Sequence, residues 1–192
     1  MNLPNKLTLS RVLLVPVVLI FVLYPIGGEL CARIVAAALF LIAALTDLFD
    51  GKLARKHNLI TNFGKFLDPL ADKLMVIGVL IATCASEMYA VYRPVLVWAT
   101  LIVVIRELAV TSLRLLVVSS KESVVIAASW LGKVKTNTQI VCLMTLMLDT
   151  VILPFDTLHI LSWITIAVMT VMTVWSGISY FVTYLRYLNP EE

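Results

Sequence analysis

Apolar residues run through this chain in long stretches, from Val12 to Leu188, broken by short charged ones. A helix that crosses a bilayer needs about 20 mostly apolar residues, so the pattern predicts about six spans, near 9–24, 32–50, 70–86, 94–119, 134–153 and 158–188. The segment 2–9 is too short and polar to span; its leucines and Lys6 suit a short interfacial helix that leads into the first span. The expectation is one all-α polytopic membrane domain over residues 1–192, with no room for a second.

Composition strengthens that reading. Hydrophobic residues make up 61% and charged residues 14%, against roughly 45–50% and ~25% in a soluble domain. Lys6 and Arg11 before an apolar run resemble the start of a signal peptide, but no small-residue cleavage site follows Tyr24-Pro25-Ile26-Gly27, so a retained first helix is expected. Cys31, Cys84 and Cys142 sit in or beside apolar runs without a CxxC or His partner and read as small buried hydrophobes.

Charge sets a topology. Lys6, Arg11, Lys52, Arg55, Lys56, Lys65, Lys73, Arg114, Lys121, Lys133, Lys135 and Arg186 fall near span ends on one side, and Arg33 and Arg93 on the other. The positive-inside rule then puts both termini and the loops 51–69 and 119–133 in the cytoplasm. The net charge of +3 is modest and forms no run suited to nucleic acid.

The chemistry gathers on that cytoplasmic side. Asp47 and Asp50, three apart, share a helical face at the inner end of the second span; Asp68 and Asp72, four apart, do so at the start of the third. The two spans are expected to be antiparallel neighbours joined by a cytoplasmic connection, so both pairs arrive at one depth and can face each other, and four close carboxylates need cations to neutralise them. Oxygen donors without Cys or His suit Mg²⁺, Mn²⁺ or Ca²⁺ rather than zinc. A blander reading makes Asp68-Pro69 a helix cap and Asp50-Gly51 a helix end. It leaves Asp47 and Asp72 unexplained near hydrocarbon, where an unpaired carboxylate is costly. Gly51, Ala54 and Gly64 allow close approach of a ligand, and the planar fork of Arg55 suits phosphate.

Together these residues read Asp47-Leu-Phe-Asp50-Gly51-Lys-Leu-Ala54-Arg55, eight residues, Gly64, three residues, Asp68, three residues, Asp72. This resembles, without departure, the D-x2-D-G-x2-A-R-x8-G-x3-D-x3-D motif of the CDP-alcohol phosphatidyltransferases. The resemblance implies that Asp47, Asp50 and Asp68 ligate metal, with two Mg²⁺ or Mn²⁺ ions expected. Asp72 would complete the site and act as general base, and Gly51, Ala54, Arg55 and Gly64 would line a CDP pocket.

The acceptor rests on other residues. Arg106, Glu107 and Arg114 lie on the fourth span, with Arg106 and Arg114 about 80° apart around a helix and able to converge on one ligand. With Lys133 and Lys135 they would form a cationic bowl suited to a phosphorylated acceptor; alternatively Arg106 pairs with a membrane carboxylate and the lysines touch lipid head groups. Ile105-Arg106-Glu107-Leu108, Ser112-Leu113-Arg114, Gly132-Lys133-Val134-Lys135-Thr136 with Gln139, and Pro4-Asn5 with Thr8 and Arg11 look like the branch of the family that uses sn-glycerol 3-phosphate. That likeness implies CDP-diacylglycerol and sn-glycerol 3-phosphate as substrates. Asn5 and Thr8 would approach the nucleotide or acceptor, and Arg106, Arg114, Lys133 and Lys135 would hold the acceptor phosphate. It also implies a homodimer among the lipids of a bacterial cytoplasmic membrane.

Rival readings are an acceptor such as inositol phosphate, serine or phosphatidylglycerol, a divalent-cation transporter, or a non-catalytic lipid-binding scaffold. A transporter would hold its acidic groups at midplane with a path to both sides. His57 reads as a solvated loop residue and His159 as an exterior helix end. The tryptophans and tyrosines read as lipid-facing or packing residues.

Overall fold

The computed structural model describes the backbone of residues 3–56, 62–119, 130–152 and 159–184, and side chains over 8–46, 67, 69–116, 130–149, 151 and 159–184. Its elements are α1 (Leu3–Leu23), α2 (Glu29–Lys56), α3 (Asn62–Ala85), a 3₁₀ turn (Glu87–Tyr89), α4 (Arg93–Ser119), α5 (Trp130–Ile152) and α6 (Ile160–Tyr184). No strand occurs among the described residues. This is an all-α membrane protein. The stretches Glu29–Thr46, Glu87–Leu116 and Ile160–Tyr184 are long and apolar enough to cross a bilayer, and α1 carries a shorter apolar run, Thr8–Leu23.

The helices pack as they must in lipid, with small residues at the crossings and large apolar ones outside. Ala32, Ala36, Ala37, Ala43 and Ala44 bring α2 close to its neighbours, and Phe40 fills the space between them. Val15, Val18 and Val22 of α1 join Met75, Val79 and Leu80 of α3, Leu96 and Val103 of α4, Leu143, Leu146 and Met147 of α5, and Ile166 and Met169 of α6 in one core. Leu13, Ile20, Ile42, Ile105, Val171 and Val182 point outward instead. So do Trp98, Trp130 and Trp175, while Trp163 packs against the core with its edge toward Tyr92.

Helix bounds and one cysteine differ from the reading of the sequence. The N-terminal segment is not a separate helix; Leu3–Leu23 is continuous, with Pro16 inside it. Among the described residues, α2 packs chiefly on α1 and then on α5, and α3 chiefly on α1 and then on α4. Helix α2 runs on to Lys56 and α3 begins at Asn62, so neither Asp50-Gly51 nor Asp68-Pro69 is a helix end. Of the cysteines, Cys142 is buried and Cys84 half-buried, but Cys31 is exposed.

Polar ties close the end of the bundle opposite the aspartates. Arg33, buried on α2, donates to the carbonyls of Met88 and Leu146, bonds Glu29 at 3.0 Å and lies 4.5 Å over the ring of Tyr89. Arg93 donates to the carbonyls of Cys84 and Ser86 at 2.9 and 3.1 Å and to Glu87 at 2.9 Å. The buried carboxylate of Asp149 accepts from Tyr92 Oη at 2.5 Å and Ser162 Oγ at 2.7 Å, and meets His159 Nδ1. His159 holds a left-handed backbone at φ 52°, ahead of the first turn of α6. Gly27 and Gly28, at φ 75° and 97°, make the tight turn between α1 and α2 that residues with a Cβ rarely adopt.

Candidate active site

With α2 helical through Lys56, its motif residues fall on one face: Asp47, Asp50, Gly51 and Ala54 lie within an arc of about 100°, and Arg55 at its edge. That face continues the stripe buried higher in the helix, since Asp47 follows Ala43 and Ala44 by one turn. On α3, Gly64, Asp68 and Asp72 lie within about 80°, and Met75 and Val76, one turn beyond Asp72, are buried. The side chains of Asp47, Asp50, Gly51, Ala54, Arg55, Gly64, Asp68 and Asn5 lie outside the described residues. Carboxylates in the interior of two helices, on faces that lead into the core, are not caps. The donor set of the four fits a hard divalent cation, being all oxygen.

Asp72 is half-buried and lines a narrow polar crevice with Lys73, Glu107, Lys135 and Gln139, floored by Val76 and Ile77. Helix α3 therefore delivers the last aspartate of the motif to charged residues from α4 and α5. Glu107 is the hub: its Oε1 accepts from Lys135 Nζ and, at 2.9 Å, from Arg106 Nη1. The three side chains are 11%, 7% and 10% exposed respectively. Each charge is expensive in hydrocarbon alone, and the cluster exists because each is answered. Lys73 Nζ donates to Thr111 Oγ1, which itself donates to the carbonyl of Glu107 at 2.6 Å. This chain ties α3 to α4 beside Asp72.

The cations expected to form one bowl are divided. Arg106 and Lys135 share Glu107. Arg114, exposed near the C-terminal end of α4, donates through Nη2 to Tyr180 Oη at 2.6 Å and lies 5.1 Å from that ring's centroid. Lys133 is exposed, and two residues of helix put it on the opposite face of α5 from Lys135. On α1, Thr8 and Arg11 are both buried, one turn apart. Arg106 Nε and Gln139 Nε2 are buried without a hydrogen-bond partner among the described residues.

Some of this escaped the sequence. Glu107 stood out as a carboxylate in an apolar run, and such a group demands a cation; that it would answer two, one from α5, required the packing. Tyr180 carried no signal beyond helical spacing.

The model of the family described as CDP-alcohol phosphatidyltransferase matches residues 1–175. Among curated proteins, the chain is 42% identical to the CDP-diacylglycerol–glycerol-3-phosphate 3-phosphatidyltransferase of Bacillus subtilis, over 94% of this chain and 93% of that one. It is 38% identical to proteins of the same name from Rickettsia typhi, over 94% and 95% of the two chains, and from Yersinia enterocolitica, over 94% and 93%.

Proposed function

The chain belongs to the CDP-alcohol phosphatidyltransferase family, and from that premise we propose that it transfers the phosphatidyl group of CDP-diacylglycerol to sn-glycerol 3-phosphate. A hydroxyl oxygen of the acceptor bonds to the phosphatidyl phosphorus, the bond to CMP breaks, and phosphatidylglycerophosphate forms. The observation that carries the reading is the crevice in which Asp72 lies beside the Lys135–Glu107–Arg106 cluster. It puts a candidate base and candidate phosphate-binding cations at one place.

Asp47, Asp50, Asp68 and Asp72 would hold two Mg²⁺ or Mn²⁺ ions, which when bound neutralise the diphosphate and the departing CMP oxygen. Asp72 takes the acceptor hydroxyl's proton as the new bond develops, a transfer that positioning makes feasible at neutral pH. Gly51, Ala54 and Gly64 keep their helix faces low where the nucleotide approaches. Arg55 meets its phosphates, and Asn5 and Thr8 reach it from α1. Arg106, Arg114 and Lys135 hold the acceptor phosphate, with Lys133 as an outlying cation at the same helix ends. Glu107 keeps Arg106 and Lys135 together in the absence of that phosphate.

The site and both termini face the cytoplasm, as the distribution of lysine and arginine supports. The lipid tails stay in the bilayer during transfer while the soluble acceptor enters from the cytoplasm, and the enzyme works as a homodimer. The test is CMP release by the purified protein with Mg²⁺ and CDP-diacylglycerol, each acceptor offered in turn. Release with sn-glycerol 3-phosphate is expected. Release confined to serine, inositol phosphate or phosphatidylglycerol would reassign the acceptor, and none with any of them, alongside Mn²⁺ uptake into vesicles, would favour transport.

A further inference from the structure

Helix α6 carries no charged residue from Ile160 to Tyr184, and the proposed reaction gives its side chains no role. Two of its buried residues, three apart, nevertheless meet Arg106 and Arg114 of α4. At Gly177, a Cβ would lie 3.2 Å from Cγ of Arg106, inside the roughly 3.5–4.0 Å of favourable carbon contact. Any side chain there would push on the stem of Arg106, whose head is bonded to Glu107 and whose Nε is buried and without a partner among the described residues. A buried donor so placed is one that a bound anion would satisfy. One turn on, Tyr180, packed with Val110 and Leu113, accepts from Arg114 and lies beneath its guanidinium. A rigid ring thus holds a side chain that would otherwise sweep freely from an exposed position.

We propose that Gly177 and Tyr180 are positioning residues that fix the reach of Arg106 and Arg114 and so set the affinity for the phosphate of the acceptor. This rests on the reading that the two arginines hold that phosphate. A small residue at a helix crossing and a buried tyrosine are also ordinary packing, so the test needs a readout that packing alone leaves still.

The full-length enzyme in detergent, with CDP-diacylglycerol and sn-glycerol 3-phosphate varied in turn, supplies it. Gly177→Ala and Tyr180→Phe should each raise KM for sn-glycerol 3-phosphate about 5-fold, with kcat, KM for CDP-diacylglycerol and the unfolding midpoint little changed. In an Arg106→Ala background Gly177→Ala should add nothing, and in Arg114→Ala neither should Tyr180→Phe. Equal shifts in both KM values, an unchanged acceptor KM, or effects that persist in the arginine-free backgrounds would overturn the proposal. Should Gly177→Ala fail to fold, Tyr180→Phe, which keeps the ring and removes only the hydroxyl, decides by the same comparison. Arg106→Ala and Arg114→Ala report on the underlying reading separately. If they leave the acceptor KM unchanged, that reading falls; if they raise it and the α6 variants do not, only the positioning role of Gly177 and Tyr180 falls.

Discussion

Asp72 stands where the buried stripe of α3 meets charged side chains from α4 and α5, half-buried beside Lys73, Glu107 and Lys135. A carboxylate there can take a proton only while ionised. Asp72→Asn keeps the shape and removes the proposed base, so kcat for CMP release should fall by about 10²–10⁴-fold. Steady-state rates at saturating substrates check this; an unimpaired rate would remove Asp72 from the reaction. Glu107 differs, because its loss strands two buried cations at once. Glu107→Gln should lower stability by about 3–5 kcal/mol, read as an unfolding midpoint in detergent. Glu107→Leu combined with Lys135→Met and Arg106→Leu should recover part of that loss while activity stays low.

At the scale of elements, each helix has a working end and an anchoring end. The far ends of α2, α4, α5 and α6 are fastened by Arg33, Arg93 and Asp149, and the two arginines that stand against the charge asymmetry of the chain satisfy backbone carbonyls at that end. Asp149 and Lys135, both on α5, are fourteen residues apart, about 21 Å along the axis. Asp149→Ala leaves Tyr92 and Ser162 without their acceptor and should cost about 2 kcal/mol. KM for both substrates should remain as in the parent. A fall in the unfolding midpoint with unchanged KM values bears this out; a selective rise in either KM would tie that end to catalysis.

For the whole molecule, the proposed all-oxygen site divided between α2 and α3 would make activity dependent on a divalent cation while leaving the fold to apolar packing. Chelation should abolish CMP release, and Mg²⁺ or Mn²⁺ should restore it, with circular dichroism unchanged throughout. Turnover that survives chelation would sink the metal assignment. Orientation is checked in the same membranes: in a cysteine-free background, a cysteine at Lys52 should react with an impermeant maleimide only after the membrane is opened. Labelling of intact cells would invert the topology.

Much was determined by the sequence alone. Hydrophobic runs long enough for a bilayer leave the backbone no choice but helix, because lipid offers no other hydrogen-bond partner. The aspartate spacing, combined with helical geometry, puts the motif on one face of each helix before any contact is known. What only the tertiary structure decided are relations between distant residues. Helix α1 packs on both α2 and α3, Glu107 answers Lys135 across twenty-eight positions, and Gly177 and Tyr180 bear on Arg106 and Arg114. Periodicity reports which face of a helix avoids lipid, but not which neighbour that face meets. Neighbours follow from side-chain volume and the pairing of buried charges, summed over the whole bundle.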